Sequence, residues 1–321
     1  MKSRFVISGG SIIETLDEEA PVLVYVAPDN QEKQQIASTF HLDPYDVESA
    51  LDPDEVSRLE ITRDYLVMIW KRPKSATADE QVRLEVSSFG VFLLKERLLF
   101  ILSEGPIPFA AKEFSAVSKT TDLLLRFLLH TIRHYVGHLK VIKQMSTALE
   151  AKISASMENR YLLQMFTLSE NLVYYLDAIE GNGTVLTKLR AVTDRLAMTV
   201  DQINLLDDII LENNQCARQA QIYSTVLSGL MDARGTIVNN NMNVLLKNLT
   251  LINIVFLPLN LIAGILGMSE FSMMTSGVHW AVSYSLFTLG MVVLGWLTWV
   301  MMIRFIEKNP ARKKKNTATL G

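Results

Sequence analysis

Between Asn248 and Ile303 the sequence carries one formally charged residue, Glu270, which separates uncharged runs of 22 and 33 residues. Uncharged apolar runs of that length are too long for an ordinary core helix and match the hydrocarbon thickness of a bilayer, about 30 Å at about 1.5 Å per residue. The chain is therefore expected to be an integral membrane protein with two spans, at 249–267 and 280–305. The second is long enough to tilt.

Orientation follows from the flanks. The segment between the spans, 268–279, has no lysine or arginine, whereas the tail at 306–321 holds Lys308, Arg312, Lys313, Lys314 and Lys315. The positive-inside rule places that tail, and the chain preceding the first span, in the cytoplasm. The first ten residues, MKSRFVISGG, offer two positive charges and no apolar stretch of signal-peptide length, so the N-terminus is expected to stay inside as well. The protein is thus expected as a multi-pass inner or plasma membrane protein with both termini cytoplasmic. Trp280, Trp296 and Trp299 suit interfacial belts.

The first span has an internal order. Asn243, Leu246, Thr250, Asn253, Leu257, Asn260, Gly264 and Gly267 succeed one another at intervals of 3, 4, 3, 4, 3, 4 and 3, which places them on one helical face. Amides at Asn253 and Asn260 are costly against lipid and should face protein or water. Two readings are open: amides and glycines that glue helices together, or a stripe lining an aqueous pore. Two helices cannot enclose a pore, so the second reading requires several copies around an axis. Pro258 removes one backbone donor beside Asn260.

About 245 residues precede the first span, enough for a sizeable core. Short apolar runs at 21–26, 65–70, 89–93 and 98–102 predict strands, with short helices at 32–40 and 43–51 between them. Residues 1–117 therefore read as an α/β domain. From about 119 the pattern turns helical, with no proline until Pro258. It predicts helices at 119–157, 160–180 and 184–199, with Gly181-Asn182-Gly183 as the clearest breaker and 157–160 as a weaker one. A long stalk helix then begins near 202 and enters the membrane, so that 118–248 forms a helical arm and stalk. The run HLDPYDVESALDPDE at 41–55 holds six acids and no lysine or arginine. It is either a set of solvated loops and helix starts or a cation-concentrating surface.

His130, His134 and His138 stand at i, i+4 and i+8 on one helix face. Adjacent imidazoles at that spacing can share a soft or borderline metal; the plainer reading is a polar helix face. The sequence contains no H-E-x-x-H, Walker A, G-x-S-x-G or G-x-G-x-x-G, so no enzyme is expected. A single cysteine, Cys216, excludes an intrachain disulfide, and a net charge of −3 gives no support for nucleic-acid binding.

The stretch NNMNVLLKNLTLINIVFLPLNLIAGILGMS (240–269), with Phe256-Leu257-Pro258 and Gly267-Met268, resembles the pore helix of the CorA metal-ion transporter family. LDPDEVSRLEITRDYLVMIW (51–70) is similar to that family's acidic loop and strand, and the order of parts agrees along the chain. The resemblance implies an α+β membrane protein: a cytoplasmic α/β domain, a helical arm, and a stalk helix continuing into the first of two C-terminal spans. It implies a homopentamer in the lipid membrane, conducting a divalent cation, zinc or magnesium, past Asn243, Leu246, Leu257 and Asn260. The cation is then both cargo and regulatory ligand, with no other cofactor, and Asp208 falls where relatives sense cations between subunits. The family's Gly-Met-Asn is here Gly267-Met268-Ser269. A serine ring is wider and holds a hydrated ion less well. Together with Met273, Met274 and His279 in the outer segment, this turns the expectation toward softer metals and the zinc-transporting branch. Glu270 would attract cations at the outer mouth. The alternative is a membrane-anchored sensor or scaffold of the same shape that no longer conducts.

Overall fold

The computed structural model describes residues 1–74, 84–95, 97–105, 109, 112–115, 117–155 and 159–317; the side chains at 154–155, 266, 270–272, 301–303 and 305–317 lie outside that description. The chain forms two compact units, Met1–Asp232 and Ala233–Gly321.

The first unit is built on a seven-stranded mixed sheet: β1 (Lys2–Ser8), β2 (Ser11–Glu14), β3 (Val22–Val26), β4 (Arg58–Ile61), β5 (Tyr65–Pro73), β6 (Val86–Leu94) and β7 (Leu98–Leu102), in spatial order β2-β1-β3-β7-β6-β5-β4. β3 and β7 pair in parallel, and the other neighbours are antiparallel. The central strands are continuous apolar runs because they are buried on both faces. Alternation then divides their side chains. Val22, Val24, Leu66, Met68, Trp70, Leu98 and Phe100 enter one core. Leu23, Tyr25, Val67, Ile69, Leu99 and Ile101 enter the other. The four expected strands are present; β1, β2 and β4 were not foreseen, being short and carrying polar or charged residues at alternate positions.

The second core is covered by α1 (Asn30–Phe40) and α2 (Pro44–Ser49). Asp29 and Glu32 form a reciprocal capping box at the start of α1, and Asp43 caps α2 by accepting the Tyr45 N–H. Gly90 on β6 lets α2 approach: a Cβ there would stand 2.4 Å from that of Ala50. Part of the acidic run is engaged locally, while Glu48, Asp52 and Asp54 remain exposed. Asp46 is buried, 3.1 Å from Arg58, and accepts the Tyr65 hydroxyl at 2.9 Å, while Glu55 pairs with the other side of the same guanidinium.

The first core is covered by α3 (Thr120–Ala155), α4 (Asn159–Ala191) and the early turns of α5 (Val200–Leu266). Trp70 donates from its indole to Thr131 at 2.9 Å, tying β5 to α3. One expectation fails: α4 runs through Gly181-Asn182-Gly183 unbroken, and residues 192–199 form turns instead of a helix. These residues are a close-packing site. A Cβ on Gly181 would stand 3.2 Å from the Ser57 hydroxyl, and one on Gly183 3.0 Å from the Asn213 amide nitrogen. Asn182, fully buried, donates to the Lys71 carbonyl at 2.8 Å and accepts the Lys71 N–H at 3.1 Å. The break expected at 157–160 falls between α3 and α4, with 156–158 outside the described residues.

The second unit holds the end of α5, a short α6 (Ser269–Met274) and α7 (Trp280–Thr317). α5 passes Pro258 as one helix, and α7 continues beyond Phe305 through the basic run. Both are long and apolar enough to cross a membrane, and none of their apolar windows is buried. A core helix of a soluble protein would be mostly covered; these present their apolar surface to the surroundings, as spans do.

Candidate ion path along the first membrane helix

Within the second unit α7 packs on one side of α5. Trp299 lies over Asn248, Leu251, Ile252, Val255 and Phe256, and Gly295 allows Leu259 within 3.7 Å of where a Cβ would stand. From Leu249 to Ile265 the half-buried positions of α5 are accordingly Leu251, Val255, Pro258, Leu259 and Ile262. At 100° per residue these lie roughly opposite the stripe. Asn243, Leu246, Thr250, Asn253, Leu257, Asn260 and Gly264 are all exposed in the single chain. The amides therefore do not hold α5 against the α7 of the same chain. Thr250 donates its hydroxyl to the Leu246 carbonyl at 2.8 Å, which leaves the oxygen lone pairs available outward.

At the far end Gly267 closes α5 by donating to Ala263 at 3.0 Å, and Met268 follows, exposed. Ser269 then opens α6, where a loop was expected. Met273 and Met274 are strongly exposed. The side chain of Glu270 lies outside the described residues. His279 is engaged at the start of α7, stacked on Trp280 with ring centroids 6.0 Å apart and accepting the Ala281 N–H at 3.4 Å. The spacing signal also extends further back in sequence than Asn243, through Asn239, Gly235 and Asp232, all exposed. Asp232 is the single acid between Gln221 and Gly267.

The histidine ladder lies in the first unit and is not uniform. His130 turns to Glu113, Nδ1 to Oε2 at 2.6 Å, and Arg133 holds the other carboxylate oxygen at 2.9 Å. Burial alone would raise the Glu113 carboxyl, but the bonds from Arg133 and His130 outweigh it and hold it below its ordinary range. His134 and His138 face each other, ring centroids 4.5 Å apart at 73°. His138 is buried, with Nδ1 2.7 Å from the Tyr175 hydroxyl. Burial, helped by His138, His130 and Arg72, pushes His134 down to about 4. Among the described residues no three His, Cys, Asp or Glu side chains are grouped to hold a metal. Asp208 is exposed on α5, while its neighbour Asp207 pairs with Arg190 at 2.6 Å. Cys216 is buried, which pushes its thiol up to about 12 and makes it a packing residue.

Comparison with known proteins gives one picture. The family described as CorA-like Mg2+ transporter protein matches residues 23–304. The cobalt/magnesium transport protein CorA of Methanocaldococcus jannaschii is 25% identical over 277 residues, covering 81% of this chain and 85% of that protein. Its namesake from Thermotoga maritima is 24% identical over 281 residues, covering 86% and 78%. The complete structure of the Methanocaldococcus jannaschii CorA magnesium transporter superposes with a TM-score of 0.77 at 22% identity, over 94% of this chain and 96% of that one. With the mixed-sheet domain, the long helices and the two apolar C-terminal helices all in the family's order, this chain belongs to the CorA-like Mg2+ transporter family.

Proposed function

We propose that the protein conducts divalent metal cations across the membrane through a path lined by several copies of α5. The observation that carries the reading is the exposed amide stripe turned away from α7. Asn253 and Asn260 would meet hydrocarbon in a monomer, at a cost that copies around an axis remove. Five copies is the number the family resemblance favours. The carboxamides of Asn243, Asn253 and Asn260 accept hydrogen bonds from the water shell of a passing ion, and Thr250 adds a hydroxyl oxygen. Leu246 and Leu257 form apolar constrictions that a hydrated ion crosses only when the rings widen. Gly264 and Gly267 keep the outer end open to water, Met268, Ser269 and Glu270 frame the mouth, and Asp232 would draw cations at the other end. Both termini lie in the cytoplasm, set by the basic tail. Asp208, exposed on the stalk, would take part in cation sensing between copies, as the family resemblance implies.

The cargo is a divalent ion of the magnesium and cobalt class, for which the two compared relatives are named. Magnesium sheds water reluctantly, which suits a path of amide and hydroxyl oxygens. Zinc is the second reading, favoured by Ser269 in the position of the family asparagine and by Met268, Met273 and Met274 nearby. Uptake of magnesium, cobalt and zinc into proteoliposomes tests the proposal. Flux of at least one supports conduction, and its order identifies the cargo. No flux of any, from protein that remains folded, assigns the chain to a non-conducting sensor or scaffold.

A further inference from the structure

Among the described residues away from the membrane helices, His134 and His138 on α3 are two potential metal ligands whose rings face each other. We propose that His134 and His138 form a chelating pair for a borderline transition-metal ion such as zinc, with Tyr175 orienting His138 from behind. The site is separate from conduction and does not rest on it.

The geometry separates this pair from the third member. His130 has its Nδ1 committed to Glu113 at 2.6 Å, and that carboxylate is held in turn by Arg133. His134 and His138 meet no carboxylate among the described residues, sit one helical turn apart on α3, and bring their rings to 4.5 Å between centroids. Two imidazoles at i and i+4 on a helix are a recurrent chelate for zinc, copper and nickel, which favour nitrogen, and not for magnesium, which favours oxygen. The Tyr175 hydroxyl has His138 as its partner at 2.7 Å. When Nδ1–H donates to that oxygen, the tautomer is fixed with the Nε2 lone pair free, the arrangement in which a ligating histidine is normally held by its outer partner.

The opposing force is Arg72 on β5, whose positive charge acts on His134. Its guanidinium is engaged with the Glu104 carbonyl and lies 5.9 Å from the centroid of the Phe89 ring, but its charge still weakens the site. No third histidine, cysteine or carboxylate joins the pair among the described residues. Water therefore completes the coordination, which makes the site exchangeable and not structural. A regulatory metal read by the arm helices fits such a site.

The test uses the detergent-purified full chain carrying His279→Gln. That change removes the imidazole that several copies could bring together around an axis, and leaves His41 as the one other histidine outside the ladder. Cu2+ is the spectroscopic probe and Zn2+ its competitor. The expected result is an electron paramagnetic resonance signal with two imidazole nitrogens per copper, displaced by zinc. It should be lost in His134→Gln and unchanged in His130→Ala. Tyr175→Phe should keep the fold and weaken zinc roughly tenfold or more, the usual effect of removing an outer partner. Thermal unfolding of each variant separates ligand loss from misfolding, and His138→Gln repeats the test from the other ring. A signal that survives in folded His134→Gln, that disappears equally in His130→Ala, or that is absent from the parent chain would overturn the proposal. Failure of flux leaves it untouched.

Discussion

Asn182→Ala should be among the most damaging single substitutions in the cytoplasmic unit, although the residue lies in a Gly-Asn-Gly triplet that looks like a loop. β4 pairs with β5 from Arg58↔Ile69 to Ile61↔Leu66 and reaches no further. The Lys71 N–H and C=O point to the same edge of β5, beyond the end of β4, and the Asn182 carboxamide takes the place of a strand there. It accepts from Lys71 at 3.1 Å and from the Ser57 hydroxyl at 3.0 Å, and donates to the Lys71 carbonyl at 2.8 Å. Alanine removes all three bonds; the Lys71 N–H and C=O, fixed in the strand, are left unpaired at about 1–3 kcal/mol each, or about 2–6 kcal/mol together, with the loss of the Ser57 bond in addition. For a unit of this size about 1 kcal/mol shifts the midpoint by about 2–4 °C, so a loss on the order of 10 °C is expected. Ser57→Ala removes one bond of the three and should cost about 1 kcal/mol. The assay is thermal unfolding of the full chain in detergent, followed by tryptophan fluorescence, in which Trp70, fully buried on β5 beside the site, is the reporter in this unit and the other three tryptophans lie at 280–299. An Asn182→Ala midpoint within about 2 °C of the parent would refute the argument that this amide completes the sheet edge.

Asp122 accepts from Ser118, from the Lys119 N–H and from Gln202 on α5. Burial would raise its carboxyl, but those bonds outweigh it and hold it below its ordinary 3.8, so its contribution is full above that value and fades as pH falls further; Asp122→Asn should flatten this acid limb in a stability-versus-pH series. Native mass spectrometry of detergent-solubilised protein should give an oligomer, with five copies expected; monomer or dimer alone would remove the pore, because one stripe on one helix cannot enclose water.

The sequence was most informative where burial is two-sided or absent. β3, β5, β6 and β7 were legible because a strand covered on both faces reads as an unbroken apolar run, and the two spans because lipid demands the same of a helix. β1, β2 and β4 were not, since strands such as Lys2–Ser8 mix charge with apolar residues and resemble loops locally. The triplet at 181–183 was misread because glycine has two uses, freeing the backbone and letting something come close, and only the fold reveals Ser57 and Asn213 against it. The exposed face of α5 that carries Asn253 and Asn260 needed only periodicity to be picked out. The histidine ladder carried the right spacing but hid its division: Glu113, 17 residues from His130, draws that ring away, and Tyr175, on another helix, backs His138. No local pattern encodes either contact.

The central claim is that ions follow the amide face of α5, and one paired measurement tests it most directly: divalent flux into proteoliposomes for Asn260→Leu beside Leu261→Ala. Asn260 lies on the stripe, and Leu261, also exposed, is one residue around the helix. The account expects Asn260→Leu to abolish most flux while the oligomer and its melting temperature persist, because an apolar ring replaces the groups that hold the ion's water. Leu261→Ala should retain flux close to the parent. Equal losses from the two, or undiminished flux through Asn260→Leu, would mean that the ions do not pass along this face.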